Sequence, residues 1–506
     1  MSDLPAHELD RALQRLVQEE FVLAKRSNIE DASPLSQSTH YTFKHALLQD
    51  AAYGSLLRSS RREMHALIAR TLTERFEPLC AAQPELVAHH CTEGGQVAAA
   101  IQQWRLAADK ALTRSAQAEA GSHLQRALDL VRTLPMGPER VQGELGLLIT
   151  LGPLLMATRG YADAGVELTY RQAREICGAI GDTPQIVPVL FGLWAYYVVR
   201  ADLKIARDLT EQLWRLVEHS GDDGMKLEVQ LAMGTTMYFQ GEFAAACASL
   251  RASLAMYDPA LHRVHAQIFG QEPGAAAHIY LAQTLALMGE AALSAQHAAI
   301  ALQLAEEAAH DQTTAYVLTY FALLQLWGGD AAAASATARR GGALAREQGF
   351  PIWQVGCDSF GGSADIARGL HSAETLARMQ AAAATAAGGL AELYAPYLFG
   401  LTADAHHQMG QLDEARTQID TAVLREAGSE QRVTLAELHR LRALVMQAQG
   451  EPAEAVRQEL QRAIDLAVAQ GAGLWEQRAR ATLTQIGQMG QTTAAPTATV
   501  TATHGS

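Results

Sequence analysis

The residues of this sequence that are best suited to bind a metal ion stand side by side, at His89, His90 and Cys91. Imidazole and thiolate groups are the ligands that zinc prefers. On a helix, however, neighbouring side chains point about 100° apart, so adjacent residues do not form one ligand set. The five cysteines of the chain include no CxxC pair, which argues against a zinc knuckle and a disulfide framework. We therefore expect no metal site and no cofactor.

A group of aromatic residues has the composition of a recognition surface. Trp194 and Tyr197 stand three positions apart and share a helix face, whereas Tyr196 points elsewhere. Core packing of one repeat explains these side chains if they are buried. If they are exposed, they line a concave surface for a peptide or a small effector, because aromatic residues are enriched at interface hot spots. We predict partner contacts for Trp194, Tyr197, Trp214 and Phe269.

Motifs of nucleophilic catalysis and nucleotide binding do not occur in the 506 residues. The nucleophile elbow GxSxG is missing, and so is the loop GxxxxGK[ST], whose backbone amides cradle phosphates. No run places two aspartates at predicted strand ends, where they would hold paired metal ions. We expect that this chain has no catalytic residues and is not an enzyme by itself.

The elements that position these residues form a repeat. Glycines recur at steps of 40 or 41 residues, at Gly289, Gly329, Gly369, Gly410 and Gly450. Ala201 and Gly241 extend the series towards the N-terminus, with one step of 48 residues before Gly289. A period of this length is typical of stacked helical arrays, and it exceeds the 34 residues or so of the tetratricopeptide repeat.

Small and apolar residues follow each glycine at helical spacing. The pattern is clearest after Gly241, with Phe243, Ala246, Leu250 and Ser253, and after Gly410, with Leu412, Ala415, Ile419 and Ala422. Two antiparallel helices approach closely where small side chains face each other, and each pair then stacks on the next. We predict an all-α, tetratricopeptide-like α-solenoid, a superhelix of about nine to ten helix pairs. Its repeat array covers residues 159–489.

The longer step of the series contains an insertion at residues 257–275, with two prolines, two histidines and Phe269. Insertions in solenoids gather on one face, which is often the binding face. The other interpretation is that the insertion is a flexible surface loop that binds no partner. We expect Phe269 to be exposed in either case.

The residues before the array show a different pattern. Helical spacing over residues 4–18 is followed by two β-prone runs, at residues 20–24 and 39–43, as in the helix and hairpin that end a winged helix. We predict a partial winged-helix junction at residues 1–75 and a helical linker with the first repeat-like helices at residues 76–158. Residues 490–506 have too little apolar side chain to bury, and we expect a disordered tail.

The composition narrows the classes of partner. The net charge is −14 and no long cluster of lysine and arginine occurs in the repeat region, so a nucleic-acid partner is not expected. No apolar run approaches the roughly 18 residues that span a bilayer, and the N-terminus has no signal-peptide core. We predict a cytoplasmic protein without a membrane contact.

The stretch from Tyr41 to Phe76, YTFKHALLQDAAYGSLLRSSRREMHALIARTLTERF, resembles the junction between winged helix and helical array in bacterial signalling ATPases of the STAND class. Many of these relatives carry a class III nucleotide cyclase domain ahead of the ATPase. PELVAHHCTEGGQVAAAIQQWRLAADKAL and FGLWAYYVVRADLKIARDLTEQLW are also similar to that family, and the resemblance extends to about Met489. The array of such a protein implies a sensor that binds a partner or effector.

The resemblance implies a non-catalytic regulatory module of a signalling ATPase or nucleotide cyclase system. Because the ATPase loop and the cyclase metal site do not occur here, one alternative is a truncated or split subunit that acts in trans with a catalytic chain. Another alternative is the sensor part of a transcription regulator, which also uses repeats of about 40 residues. The expected partners are a protein, a peptide or a small effector on the concave face.

Overall fold

The structure of the chain is a computed structural model that describes residues 5–26, 39–114, 116–181 and 183–492. It divides into two compact units, residues 1–114 with 122–140 and residues 115–121 with 141–506. The domain boundaries predicted after residues 75 and 158 remain predictions.

The elements before residue 132 are α1 (Ala6–Gln18), β1 (Val22–Arg26), β2 (Thr39–Phe43), α2 (Ala46–Ser55), α3 (Arg58–Arg75), α4 (Glu77–Ala82), α5 (Pro84–Glu93), α6 (Val97–Thr113) and α7 (Gln117–Val131). The following elements up to the insertion are α8 (Pro138–Arg159), α9 (Ala164–Ile180), α10 (Ile186–Val199), α11 (Leu203–Val217), α12 (Asp223–Phe239) and α13 (Phe243–Met256). The insertion contains α14 (Pro259–His262) and α15 (His265–Phe269).

The array continues with α16 (Pro273–Met288), α17 (Ala291–Ala308), α18 (Asp311–Trp327), α19 (Ala331–Gln348), α20 (Pro351–Ala367) and α21 (Ala373–Thr385). A π-helical turn (Ala386–Leu390) follows, and then α22 (Ala395–Gln408), α23 (Leu412–Ala427), α24 (Leu435–Ala448), α25 (Ala453–Gln470) and α26 (Gly473–Thr492). The fold is all-α and tetratricopeptide-like, as predicted. The predicted tail begins inside α26, which continues to Thr492, and residues 493–506 lie outside the described residues.

The N-terminal helix and hairpin are present. β1 pairs antiparallel with β2, and Val22 lies opposite Phe43. The polar stretch that joins the two predicted strands lies outside the described residues. Of the described side chains between residues 5 and 57, only Val22 is buried. A winged-helix identity for this segment stays a proposal.

The turns of the array lie where the sequence predicts them. The backbone has a positive φ at each glycine of the series, from +77° at Gly241 to +75° at Gly450. Ala201 occupies the corresponding turn with a φ of +61°, a conformation that only glycine adopts without a steric cost. The 40-residue period of the helix pairs is therefore confirmed.

The predicted seams are also confirmed. Ala246, Ala298 and Ala415 are each 0–1% exposed, and a Cβ added to Gly234 of α12 would lie 2.7 Å from Leu250 of α13. The last repeat differs, because α25 begins three residues after its turn glycine, whereas α13, α17, α19 and α23 begin two residues after theirs. As a result Val456 is buried, whereas Ala455, five positions after Gly450 and thus at the place that Ala246 and Ala415 occupy in their repeats, is only half-buried.

The second unit has two layers of helices. The inner layer consists of α10, α12, α16, α18, α20, α22 and α24, which contact one another in this order. The outer helices each bury one face against it. The array also returns onto itself, because the Leu393 amide donates to the Val199 carbonyl at 3.0 Å and the Arg432 amide donates to the Phe239 carbonyl at 2.9 Å.

One helix in the described part of the chain, α8, has the length and the apolar composition of a helix that could cross a membrane. Half of its most apolar window is buried against the rest of the fold. The core helix of a soluble protein has the same features, so this helix is weak evidence for a membrane segment.

Replacing Ala246 by glutamate is expected to lower the free energy of unfolding by roughly 3–5 kcal/mol, because an unpaired charge would enter the seam between α12 and α13. Ala245, the preceding residue of the same helix, is exposed and is the matched control, for which glutamate should change the value by under about 0.5 kcal/mol. Urea denaturation measures both variants. Equal midpoints would contradict the register of the seam.

Candidate partner-binding groove

The structure brings Trp194 and Phe269 together in the interior of the second unit. Their exposed fractions are 7% and 6%, and the ring of Phe191 lies 4.8 Å from each of them. The indole N–H of Trp194 donates to Thr236 at 2.8 Å. The expectation that Phe269 is exposed was wrong, because the insertion folds into α14 and α15 and places this ring against α10.

Tyr197 and Trp214 lie elsewhere. The hydroxyl of Tyr197 donates to Glu167 at 3.1 Å, and the hydroxyl of Tyr196 donates to the other oxygen of the same carboxylate at 3.1 Å. Tyr196 therefore shares the environment of Tyr197, contrary to the sequence-based expectation. Trp214 is partly buried on the outer helix α11, where it packs against the core. The four predicted residues do not form one surface.

The inner face of the array is filled by aromatic side chains. Rings contact one another between Tyr238 and Tyr280 at 5.6 Å, between Tyr280 and Tyr320 at 5.8 Å and between Tyr320 and Tyr394 at 5.8 Å. Tyr238, Tyr280 and Tyr320 are buried and Tyr394 is half-buried, and desolvation raises the pKa of each hydroxyl above its ordinary value. The inner face is thus part of the core of this unit, and the open surface has to be sought elsewhere.

A groove of about 590 Å³ lies where the turn between α10 and α11 meets the turn between α23 and α24. Its walls are Arg200–Ile205, Glu392, Pro396, Arg425 and Gly428–Gln431. Drug-sized and peptide-sized ligands occupy clefts of about 300–1,000 Å³, so the volume suits a ligand of this size. The groove exists only because the array returns onto itself at the hydrogen bond between Leu393 and Val199.

The charges of the groove are partly paired. Arg425 lies 3.1 Å from Glu392, and Arg200 lies 3.4 Å from Asp202. Lys204 is exposed and makes no ion pair in the described part of the chain. The opposite wall carries the exposed carboxylate of Glu430. The groove therefore offers a cation on one wall and an anion on the other.

Backbone and amide groups add hydrogen-bonding capacity. α11 begins at Leu203 without a side-chain cap, and within the described residues its first-turn amides have no acceptor, so they are free for an oxygen of a ligand. On the other wall Gln431 is 1% exposed, and its side-chain oxygen has no hydrogen-bond partner within the described residues. Buried polar groups are normally paired, so the oxygen of this amide is a hydrogen-bonding group that a ligand of the groove could satisfy.

A buried carboxyl group holds the second wall in place. Glu426 accepts hydrogen bonds from the amide of Thr434 at 2.8 Å and from its hydroxyl at 2.5 Å. Arg432 donates to the carbonyl groups of Ser429 and Gln431 at 2.5 Å. Complete burial raises the pKa of Glu426 to about 7, although the bonds from Thr434 act in the opposite direction.

The histidines considered as metal ligands lie in the first unit. The Nδ1 atoms of His65 and His90 are 2.9 Å apart, and Tyr53 lies 3.0 Å from the other ring nitrogen of His65. Burial and the neighbouring histidines lower the pKa of His90. Within the described residues no group of three or more histidine, cysteine or acidic side chains is arranged to hold a metal ion.

Comparison with known proteins finds no family model that matches the chain. An uncharacterized protein of Rhizobium meliloti (strain 1021) is 24% identical over 453 residues. The match covers 89% of this chain and 44% of that protein. The chain thus spans less than half the length of this relative.

Solved structures with a similar helical arrangement include a Rap protein complexed with competence and sporulation factor, with 12% identity and a TM-score of 0.45 over 72% of this chain and 99% of that chain. NprR in complex with its cognate peptide NprX has 14% identity and a TM-score of 0.37, over 71% and 85%. A STAND protein with a tetratricopeptide repeat sensor from Pyrococcus horikoshii has 10% identity and a TM-score of 0.41, over 72% and 52%. Similarity at this level carries no functional argument.

The residues that line the groove are not among the partner-binding residues predicted from the sequence. Ala201 marks one wall, since it takes the place of glycine in the repeat, but the repeat pattern by itself indicates only a turn at this position. No pattern in the sequence relates Arg200 or Lys204 to Glu430, because the two walls come from repeats that are more than 200 residues apart in the sequence, in different superhelical turns (coils) of the array. The aromatic residues were recognised by type, but their burial depends on helices that are distant in the sequence.

Replacing Glu426 by glutamine tests the buried carboxyl group. Because its pKa is higher in the folded than in the unfolded chain, the stability it contributes is complete below a pH of about 4.5 and is lost as the pH rises through about 7. The glutamine variant does not titrate. Its free energy of unfolding relative to the natural chain should therefore rise by roughly 2–3 kcal/mol between about pH 5 and pH 8.

Glu414 of the same helix is exposed, and Glu414→Gln is the control for this measurement. Urea unfolding at several pH values provides the comparison. A Glu426→Gln profile that runs parallel to that of the natural chain would show that the carboxyl group is not held in its neutral form.

Proposed function

We propose that this chain is a regulatory module that binds an extended segment of a partner protein in the groove between Arg200–Ile205 and Gly428–Gln431. The groove carries the proposal, because it combines a suitable volume with an exposed charge of each sign and with a side-chain oxygen, that of Gln431, which has no hydrogen-bond partner within the described residues. The inner face, which is the usual place for a ligand of a solenoid, is filled by aromatic rings.

The contacts define the chemistry of the partner segment. Its carbonyl or carboxylate oxygens would accept from the first turn of α11, next to the ammonium group of Lys204. A basic side chain further along the segment would face Glu430. A peptide amide group suits the buried side chain of Gln431. The segment therefore carries an acidic and a basic residue at the distance that separates the two walls.

The finer assignment is also part of the proposal. We place the module in the cytoplasm, in a signalling ATPase or nucleotide cyclase system. This placement rests on the resemblance of Tyr41–Phe76 to the junction of such ATPases and on the helix and hairpin at the N-terminal end of the chain. The catalytic parts belong to a partner chain or to a longer form of this one. The two alternatives, a split catalytic subunit that acts in trans and the sensor of a transcription regulator, use the same groove for a different partner.

The groove is tested with random peptides displayed on phage and selected on the natural chain. Selected peptides should carry both signs of charge. Lys204→Glu and Glu430→Lys should each weaken their binding about five- to tenfold, because an attraction becomes a repulsion at a partly desolvated site. Isothermal titration calorimetry with synthetic peptides measures the change.

The control is the same pair of charge reversals on α21, Arg378→Glu and Glu374→Lys, since both residues are exposed and outside the groove. Reversing the charges of a selected peptide should restore its binding to the doubly reversed groove. Binding that is insensitive to Lys204 and Glu430, or lost equally in the α21 variants, would rule out the groove.

The purified chain is expected to show neither ATP hydrolysis nor synthesis of cyclic AMP, because it contains no GxxxxGK[ST] loop. Phosphate release and cyclic nucleotide formation are measured with and without magnesium. Turnover that disappears on mutation of a residue of this chain would support the catalytic alternative instead.

A further inference from the structure

The interior of the second unit contains a cavity of about 50 Å³ that is separate from the groove. Nine aromatic side chains line it, among them Trp194, Tyr280 and Trp353, and its wall contains no charged side chain. A smaller cavity of about 20 Å³ adjoins it and shares Trp353 and Tyr394. A charged ligand would lose its hydration here without gaining a counter-ion, so the wall selects uncharged molecules.

Three residues of the wall, Trp353, Thr235 and Tyr316, carry a polar atom that lacks a hydrogen-bond partner within the described residues. The indole Nε1 of Trp353 and the hydroxyl oxygen of Thr235 have no hydrogen bond within the described residues, and these side chains are 4% and 2% exposed. Leaving a buried polar group without a partner destabilises the folded chain. The indole nitrogen can only donate and the hydroxyl group can donate or accept, so a ligand that satisfies both brings an acceptor oxygen.

The cavity lies between parts of the chain that are distant in sequence. Val199 at the end of α10 and Leu393 before α22 both line it, and the amide of Leu393 donates to the carbonyl of Val199 at 3.0 Å. A molecule in the cavity contacts both sides of this junction. Since a ligand stabilises the conformation that binds it, occupancy would strengthen the closure of the array.

We propose that this cavity is a binding site for a small uncharged molecule that carries a carbonyl oxygen. Its volume admits about three or four water-sized groups, which sets the ligand at about five non-hydrogen atoms. The apolar part of the ligand packs on the aromatic rings, and its oxygen accepts from Trp353 and Thr235. The cavity shares no lining residue with the groove, and its ligand acts as an effector by holding together the junction of α10 with the segment before α22.

Three probes of equal size and similar shape test the proposal on the unmodified chain. Butanone and propionamide are uncharged and carry a carbonyl group, whereas propionate has the same number of non-hydrogen atoms and a full charge. Saturable binding is followed by the fluorescence of the tryptophans, two of which line the cavity. We expect both uncharged probes to bind at least tenfold more tightly than propionate. Equal binding of all three, or no saturable binding of the uncharged pair, would overturn the proposal.

Variants locate the bound probe. Ala195→Leu fills the cavity and should abolish binding, because this side chain belongs to the wall. Thr235→Val removes one unpaired polar atom with little change of shape, and it should weaken binding about three- to tenfold without destabilising the empty protein. Trp353→Phe removes the indole N–H and should weaken binding by a similar factor, but its smaller ring enlarges the cavity and is expected to lower the stability of the empty protein. Binding that persists unchanged in Thr235→Val and Trp353→Phe would place the probes elsewhere. The probe comparison on the natural chain does not depend on whether a variant folds.

Discussion

The second unit depends on the packing of aromatic rings between helices that are far apart in the sequence and belong to different superhelical turns of the array. Tyr161 lies 6.1 Å from Trp353, Phe239 lies 5.5 Å from Tyr394 and Trp327 lies 5.3 Å from Trp475, although each pair is far apart in the sequence. Each ring buries about 150–250 Å² of surface, so these contacts supply much of the apolar burial between coils. Small residues in the outer seams let the helices converge closely enough for the rings to meet.

This packing also decides where ligands can bind. Because the rings occupy the inner face, the groove with polar and charged groups lies at the surface, where turns from distant repeats meet, as they do between Lys204 and Glu430. The cavity inside is small and uncharged for the same reason. Both sites share the junction of Val199 and Leu393, so a change at this hydrogen bond would affect the groove and the cavity together.

The candidate site could be predicted only in part. The aromatic type of Trp194 and Phe269 indicated an important position, but the recognition surface expected there is a core. Helical spacing tells which face of a helix packs within its own pair, as it did for Ala246 and Ala415. It does not tell whether the remaining face of the helix meets solvent or another part of the array. Trp194 is buried in the interior of the array, whereas Lys204 is exposed to solvent.

The sequence by itself determined the helix pairs, their turns and their seams, because these depend on residues within one period: a glycine with a positive φ, and alanines at fixed distances after it. Only the tertiary structure decided that Arg432 would bond to Phe239 and that the walls of the groove would meet. The small rotation between neighbouring repeats accumulates over a whole coil, and it is set by the combined packing of many side chains. No single stretch of sequence therefore determines the total rotation between distant repeats.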